Sequence, residues 1–416
     1  MKILVIGGNG REHAICWKVA SELISGTIYA IPGNGGISEI ANLVNIPIEN
    51  HQEIAAFAKR EKIDLTIVGP ELPLADGIVD IFHKKRLKIF GPNKKAATLE
   101  SSKIWAKEFM LENEIPTAGF FVADNFSTAK KIIEKVQYPV VIKFDGLAAG
   151  KGVGIVNDFQ EAANFLENIF EKRVFSQTSN RVVIEEFLSG QELSYLVITD
   201  GENFVPLAPA RDYKKIYEND TGPNTGGMGC YSPVPICSPE IEKVIEKRIV
   251  IPTIKGLQKK SVEYCGVVYF GLIITKNGPQ VLEYNVRFGD PETEVILPRM
   301  ESSILEIIEL AIEGRLRNIQ IKWREESAVD VVIASGGYPG EYNTGVPIDI
   351  GSLPEGVVIF HAGTKKQSDR FITTGGRVLN VVGFGNTLEE AREKAYEGVS
   401  KIHFDGMYFR KDIASL

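Results

Sequence analysis

Residues 1 to about 100 alternate short strands that are apolar on both faces with single helices, and this alternation constrains the fold more than any other feature. The strands read "KILVIGG", "TIYAIPG", "IDLTIVGP" and "LKIFGP"; the helices between them read "REHAICWKVASEL", "HQEIAAFAKREK" and "LADGIVDIFHKK". A strand apolar on both faces must be covered from both sides. With helical crossovers between such strands, the expected solution is a parallel, doubly wound sheet.

After the helix "SSKIWAKEFMLENEIPT" the pattern becomes β-rich. It predicts "GFFVA" as a strand, helices near 127–136 and 159–171, and the strand "RVVIEEFL". Long β-hairpins are expected over 192–275, followed by "PQVLEYNVRF" and the apolar helix "SSILEIIELAI". The last 90 residues, with "AVDVVIASGGYPG", "VVIFHAGTK", "GGRVLNVVGFG" and the amphipathic "LEEAREKAYEGVSKI", read as a small α+β cap. The expected class is therefore α/β and α+β, multidomain.

Charge and cysteine usage remove whole function classes. With 47 basic against 54 acidic residues the net charge is −7, which argues against nucleic-acid binding by bulk electrostatics. Cys16, Cys230, Cys237 and Cys265 form no C-x-x-C pair and fit a reducing cytosol, and the five histidines have no zinc-type spacing. No apolar run reaches membrane length, and Lys2 followed by "ILVI" reads as a strand rather than a signal peptide.

Several segments carry chemistry. In "VVIKFDGLAAGKGVGIV", Gly146, Gly150, Lys151, Gly152 and Gly154 lie between two apolar runs. The spacing is not that of a P-loop, and "GVGIV" reads as a strand, so the segment is a strand–turn–strand flap. "IGGNGREHA" has Gly8 and Gly10 but His13 at the third glycine position, and no acid ends the second strand, which argues against a dinucleotide site. What remains is a glycine turn at a helix N-terminus, either a plain βα turn or an anion site, with Arg11 and Glu12 at its start. Glu71 in "GPEL" lies on the same carboxyl edge of the sheet, where open α/β sheets bind ligands.

In "VLEYNVRFGDPETE", alternation along a strand puts Glu283, Asn285 and Arg287 on one face. A carboxylate beside an amide oxygen suits Mg²⁺, with phosphates completing its shell; a half-exposed strand with a salt bridge is the alternative. Asp290 and Glu292 follow in the turn. Lys143 ends one strand and Lys103 opens a helix, each either a phosphate contact or a solvated lysine. At "VVIEEFLSGQELS" the backbone of Glu186, Phe187 and Leu188 is placed to pair with an adenine edge and Glu192 with ribose hydroxyls; a ligand-free hinge is the alternative. The glycines of "DTGPNTGGMGCYSP" imply a backbone that approaches something closely.

Together these segments resemble the ATP-grasp superfamily, and within it the glycinamide ribonucleotide synthetases (phosphoribosylamine–glycine ligases). The matching motifs run in order from "GGNGREHA" through "TIVGPELPL", "KIFGP", "DGLAAGKGV", "VIEEFLSGQELS", "DTGPNTGGMG" and "EYNVRFGDPET" to "ASGGYPG", "FHAGTK" and "GGRVL". They cover essentially the whole chain, and the pairing of "DTGPNTGGMG" with "RFGDPET" is the most specific. The resemblance implies a substrate-binding domain over 1–101, an ATP-grasp core over 102–325 with a mobile lobe at about 120–190, and a C-terminal domain over 326–416.

The implied reaction joins glycine to 5-phosphoribosylamine with ATP, through glycyl phosphate, early in purine synthesis. ATP contacts are implied for Lys103, Lys143, the flap Gly146, Leu147, Ala148, Ala149, Gly150, Lys151, Gly152 and Val153, and for Glu185, Glu186, Phe187, Leu188 and Glu192. Glu283 and Asn285 are implied ligands of Mg²⁺ or Mn²⁺. Substrate contacts are implied for Gly10, Arg11, Glu12, Glu71, Asp212, Lys214, Thr225, Gly226, Gly227, Met228 and Asp290. Lys365 and Arg377 are candidates for the 5′-phosphate, and Arg287, Asp290 and Lys143 for catalysis. The resemblance also implies a cytoplasmic monomer, free-standing rather than part of a fused enzyme, with no nucleic-acid or membrane partner. Two departures stand out: Tyr213 and Lys215 replace His and Arg of many relatives, and Phe144 replaces a common alanine. The rivals are another ATP-grasp carboxylate–amine ligase and a non-catalytic nucleotide-binding protein.

Overall fold

The structure is a computed structural model and describes residues 1–148, 152–174 and 180–415. Its first part runs β1 (Lys2–Gly7), α1 (Gly10–Glu22), β2 (Thr27–Pro32), β3 (Asn42–Leu43), α2 (His51–Glu61), β4 (Leu65–Val68), α3 (Glu71–Asp76), α4 (Ile78–Lys84) and β5 (Ile89–Phe90). These strands pair in parallel in the order β3-β2-β1-β4-β5, the doubly wound sheet that their two-faced apolarity requires. Where the sequence predicts one helix over "LADGIVDIFHKK", two form. Gly77 adopts φ +94, a left-handed conformation that ends α3 and begins α4.

Next come α5 (Lys94–Ser101), α6 (Lys103–Glu112), β6 (Phe120–Ala123), α7 (Phe126–Ile133), β7 (Val140–Phe144), β8 (Val153–Val156), α8 (Phe159–Phe170) and β9 (Val182–Glu186). The strands form an antiparallel sheet ordered β6-β9-β7-β8. Val140, Ile142, Phe144, Val182 and Ile184 pack beneath α7 and α8 against Ala129, Ile133, Ala162 and Leu166. Alternation therefore turns Lys143 and Glu185 to the opposite face. β7 and β8 are antiparallel neighbours, as the strand–turn–strand reading of the flap expects.

The chain continues through β10 (Gln191–Thr199), β11 (Phe204–Pro206), β12 (Arg211–Asp212), β13 (Lys215–Tyr217), β14 (Thr221–Asn224) and β15 (Gly229–Ser232). Hairpins do not fill the stretch to 275 as the sequence reading expects. Instead α9 (Pro239–Ile245) and α10 (Ile251–Lys259) intervene, joined by π-helical Glu246–Val250. The Ser238 hydroxyl accepts the Ile241 N–H and Pro239 occupies the first turn, both helix-start signals. β16 (Gly266–Thr275) and β17 (Gly278–Asn285) then complete an antiparallel sheet ordered β11-β10-β16-β17.

After α11 (Glu292–Ile296) and α12 (Ile304–Ile312) the chain forms β18 (Ser327–Ser335), β19 (Pro347–Ile350), β20 (Val357–His361), β21 (Thr364–Gln367), β22 (Arg370–Thr373), β23 (Arg377–Gly385) and α13 (Leu388–Val399). β12 and β15 pair into the same sheet as β18, β23 and β20. The last 90 residues are thus hydrogen-bonded into the middle of the chain rather than set beside it.

The largest core cluster runs between these sheets. Phe270 on β16 is fully buried in it, its ring edge-on to Tyr284 at 5.4 Å. Truncation there removes a large apolar side chain and leaves a cavity that neighbouring strands cannot close. Phe270→Ala is expected to cost about 3–5 kcal/mol, seen as a lowered urea midpoint by circular dichroism. An unchanged midpoint would show that this sheet is not a cooperative part of the fold.

Candidate active site

The face of the β6-β9-β7-β8 sheet turned away from its helices carries a charge cluster. Glu185 is 3% exposed, and its Oε2 lies 3.0 Å from the Nζ of both Lys107 and Lys143. Lys143 also donates to the Leu282 carbonyl of β17 at 2.8 Å, tying this sheet to the next. Lys107 donates to the Thr117 hydroxyl at 2.7 Å and sits over the Phe120 ring. Burial pulls its ammonium down to about 8 although Glu185 opposes this. Sequence reasoning missed Lys107; it falls on the inward face of α6, four residues after Lys103, a spacing that marks it as a neighbour.

Lys103 opens α6, as expected, and donates to the Gly146 carbonyl at the base of the flap, 2.9 Å away. Asp145, also missed, receives the Ser102 hydroxyl at 2.9 Å and the Ile104 N–H at 3.1 Å, and pairs with Arg181 at 2.6 Å. A carboxylate at a helix N-terminus is favoured by the unpaired N–H groups and the helix dipole there. Of the flap residues, Gly146, Leu147, Ala148, Gly152 and Val153 are described; Ala149, Gly150 and Lys151 lie outside the described residues. Phe144 turns its ring beneath this turn: a side chain added at Gly146 would meet it at 2.7 Å.

At the hinge, the Glu186 N–H is bonded to the Gly119 carbonyl at 3.0 Å. The Glu185 carboxylate lies between two lysines and holds them. Glu192, half exposed, lies 3.5 Å from Lys214.

Glu283 and Asn285 stand on β17 with Arg287 just beyond it, and the predicted shared face is realised: Arg287 donates to the Asn285 amide oxygen at 3.3 Å. Burial would raise the Glu283 carboxyl, yet Lys214, Lys143 and Lys103 outweigh it and bring it to about 2. Lys214 is the nearest, at 3.4 Å, and is held well above the usual lysine range by Glu192 and Glu283 against its burial. Among the described residues no group of three or more His, Cys, Asp or Glu side chains is set to hold a metal. One ionised carboxylate and one amide oxygen still suit a hard cation whose other ligands are phosphate oxygens and water.

Arg287 is gripped from two sides, by Glu71 at 3.3 Å and Glu100 at 3.6 Å. Glu100, another residue missed from sequence, also receives the Val286 N–H at 2.8 Å. Burial lifts its carboxyl to about 7 even though Arg287 opposes the shift. Glu71 stays below the ordinary range, since Arg287 and Arg11 outweigh its burial.

On the sheet edge, Gly10 and Arg11 begin α1, and Glu12 closes a capping box by receiving the Asn9 N–H at 2.7 Å. Glu12 is fully buried and also paired with Arg11. Its carboxylate thus serves the helix cap and the Arg11 pair. Arg11 is buried too and donates to the Phe288 carbonyl at 3.2 Å.

The loop between β14 and β15 folds back on β12. Thr225 donates its N–H and hydroxyl to the Lys214 carbonyl, each at 2.8 Å, and receives the Gly227 N–H at 3.0 Å. The Met228 side chain is fully buried with Ile216 and Ala334 and packs the core. Arg377 donates to the Gly226 carbonyl at 2.7 Å and pairs with Asp290 at 2.9 Å, drawing three distant segments together. Lys365, on β21, is exposed. Tyr213 packs between Arg211 and Arg410, 5.6 and 4.9 Å from its ring, and its hydroxyl receives the Ala414 N–H. Its replacement of histidine is thus a core matter.

Comparison with known proteins agrees with this geometry. Family models described as phosphoribosylglycinamide synthetase N domain, ATP-grasp (A) domain and C domain match residues 1–100, 101–293 and 328–416. The phosphoribosylamine–glycine ligase of Caldanaerobacter subterraneus subsp. tengcongensis is 49% identical over 415 residues, covering 100% of both chains. That of Clostridium acetobutylicum is 46% identical, covering 99% of each. The crystal structure of the Thermotoga maritima phosphoribosylamine–glycine ligase superposes with a TM-score of 0.87 at 36% identity over 100% of both chains. The biotin carboxylase domain of Hydrogenobacter thermophilus 2-oxoglutarate carboxylase shares the fold, with a TM-score of 0.76 at 18% identity over 98% of this chain and 91% of its own.

Glu100 supplies a pH signature. Its folded carboxyl loses its proton at about 7 and the unfolded one at its ordinary 4.5, so between those values the unfolded chain releases the proton first. Stability from this group is therefore intact below 4.5 and falls as pH rises to about 7. Relative to Glu100→Gln, the wild type is expected to lose roughly 3 kcal/mol across that window, read from thermal midpoints against pH. Parallel curves for the two proteins would refute it.

Proposed function

The chain belongs to the phosphoribosylglycinamide synthetase family, and we propose that the charge cluster around Glu283 is where its reaction takes place. It is an ATP-dependent ligase that forms a C–N bond in glycinamide ribonucleotide synthesis, a step of purine biosynthesis. Its substrates are small molecules, and like its family it needs a metal ion.

The observation that carries the assignment is the convergence of Lys103, Lys143 and Lys214 on Glu283, which holds its carboxyl down at about 2 against its burial. A triphosphate bound there would pair with those ammonium groups. Lys103 and Lys143 take its phosphates, the flap 146–153 covers them, and Phe187, Leu188 and Glu192 hold the nucleoside. Glu283 and Asn285 hold Mg²⁺ or Mn²⁺, which when bound neutralises charge on the transferring phosphoryl group.

The reaction runs in two steps. A glycine carboxylate oxygen attacks the γ-phosphorus, the bond to the β–γ bridging oxygen breaks, and ADP leaves with that electron pair. The amine nitrogen of phosphoribosylamine then attacks the acyl carbon of glycyl phosphate, inorganic phosphate departs, and the amine gives up a proton. No protein nucleophile is required; positioning and charge neutralisation do the work. Arg287, fixed by Glu71 and Glu100, faces the developing acyl-phosphate charge. Asp290, Glu71 and the Gly10 turn receive the amine and ribose, supported from below by the buried Arg11–Glu12 pair. Arg377 and Lys365 serve the 5′-phosphate. Closure of the flap excludes water from the acyl phosphate.

The chain divides for this purpose into a substrate domain (1–101), an ATP-grasp core (102–325) and a C-terminal domain (326–416). It works as a cytoplasmic monomer; its cysteines are free thiols, and among the described residues no helix is long and apolar enough to cross a membrane.

The test is a coupled ADP assay with glycine and freshly made phosphoribosylamine, in which ADP release is expected only when both are present. Glu283→Ala is expected to abolish turnover, at least about 10³-fold, with the far-UV spectrum unchanged. Near wild-type turnover in that variant, or glycine-independent ADP release by the wild type, would reject the assignment.

A further inference from the structure

The carboxyl edge of the N-terminal sheet meets the C-terminal domain at two buried histidines that the reaction above leaves unused. His13, near the start of α1, is 7% exposed and His361, at the end of β20, is 6% exposed. The His361 backbone N–H donates to His13 Nδ1 at 2.8 Å. Only an imidazole without a proton on Nδ1 accepts such a bond, so His13 is the neutral tautomer that carries its proton on Nε2.

Three turns close around this bond. Asn34, just after β2, donates its amide to the His361 carbonyl at 2.6 Å and to the Gly8 carbonyl at 3.0 Å. The Gly35 N–H donates to the Thr364 carbonyl at 2.9 Å, and His361 Nδ1 lies 3.0 Å from the Thr364 hydroxyl. The fit is close, since a side chain at Gly36 would run into both imidazoles. Phe360 stands edge-on to His13 at 5.6 Å and Phe371 lies 4.5 Å from the His361 ring, so apolar rings flank the pair.

A charge on either ring would find little to answer it. Burial, reinforced by His361, pulls the His13 imidazole from 6.5 down to about 3. Burial likewise takes His361 to about 4, although Glu39 opposes the shift. Glu39 is itself paired with Lys366 at 2.7 Å, and on α1 the neighbouring Arg11 and Glu12 are paired with each other. Both histidines are therefore neutral at neutral pH.

What the clasp holds gives it a role. Lys365 directly follows Thr364, and Gly8 leads into the Gly10 turn. In the reaction proposed above these serve the 5′-phosphate and the ribose of one substrate. That molecule spans two domains, so their spacing enters its binding and not that of ATP.

We propose that His13 is a positioning residue: by accepting the His361 N–H, its neutral ring sets the distance between the Gly10 turn and Lys365, and protonation of the ring undoes the clasp. The inference rests on the ligase reading and adds to it a residue that touches no substrate.

Asparagine places an oxygen where Nδ1 stands and does not titrate. His13→Asn thus keeps the acceptor and removes the proton switch, whereas His13→Leu removes both. ADP release by the whole enzyme is followed at neutral to alkaline pH with ATP, Mg²⁺, glycine and phosphoribosylamine. The KM for phosphoribosylamine is expected to rise about 10- to 30-fold in His13→Leu and to stay within about 3-fold of wild type in His13→Asn. The KM for ATP is expected to be unchanged in both, a split that general destabilisation does not produce.

The second readout is stability against pH. Folded His13 takes up a proton only near 3 and the unfolded residue at 6.5, so stability is intact above 6.5 and falls as pH drops below it. From about pH 8 to about pH 5 the wild-type folding constant is expected to drop about 30-fold more than that of His13→Asn, measured by urea unfolding. This comparison decides whether or not His13→Leu folds. Parallel curves for wild type and His13→Asn would overturn the proposal. So would an unchanged phosphoribosylamine KM in His13→Leu, or a KM in His13→Asn as high as in His13→Leu. ADP release without glycine removes the ligase reading itself; a strict need for both substrates together with any of those three results removes only the clasp.

Discussion

Four ammonium groups, those of Lys103, Lys107, Lys143 and Lys214, are brought into a largely buried cleft, and the rest of the site is arranged around holding them. Charges taken out of water must be paired, or they shift and neutralise. Glu185 holds two of them, Glu283 and Glu192 hold a third, and the Gly146 carbonyl holds the fourth. The three ammonium groups nearest Glu283 hold its carboxyl at about 2 although burial alone would raise it.

Those lysines come from different layers. Lys143 stands on a sheet whose other face is packed under two helices, and its hydrogen bond to the Leu282 carbonyl joins that sheet to the strand carrying Glu283 and Asn285. Lys103 and Lys107 ride on one helix, whose N-terminus is fastened to the flap base by Asp145. The strand end at Asp145 is therefore joined to the helix that carries Lys103 and Lys107. On the opposite side, Arg377 links the Gly226 loop to Asp290, and β12 and β15 pair into the C-terminal sheet. Arg377 thus joins a loop and a turn that lie 151 and 87 residues before it in the chain.

Much of this was legible in the linear order. The parallel sheet followed from strands apolar on both faces, the flap from two apolar runs flanking glycines, and the shared face of Glu283, Asn285 and Arg287 from strand alternation. The failures have physical causes. Helices α9 and α10 were read through as hairpins because Ile and Val suit strands and helices alike, and only the Ser238-Pro239 cap separates the two. A helix-start carboxylate serves an anion-side network or a cap equally well, and only the structure shows Glu12 in a cap. Glu100 and Lys107 carried no motif, since their importance lies in what they touch.

The amino-acid order by itself determined the secondary structure that local periodicity and turn chemistry control, and the identity of the hard-oxygen and ammonium groups available. Tertiary structure alone decided which of those groups remain free to act. Whether a carboxylate is a local cap, as Glu12 is, or a clamp on cations from other layers, as Glu185 is, depends on which donors the fold brings to it. Burial then sets the strength of each pairing, because the same charge is worth little in water and much in a cleft that excludes it.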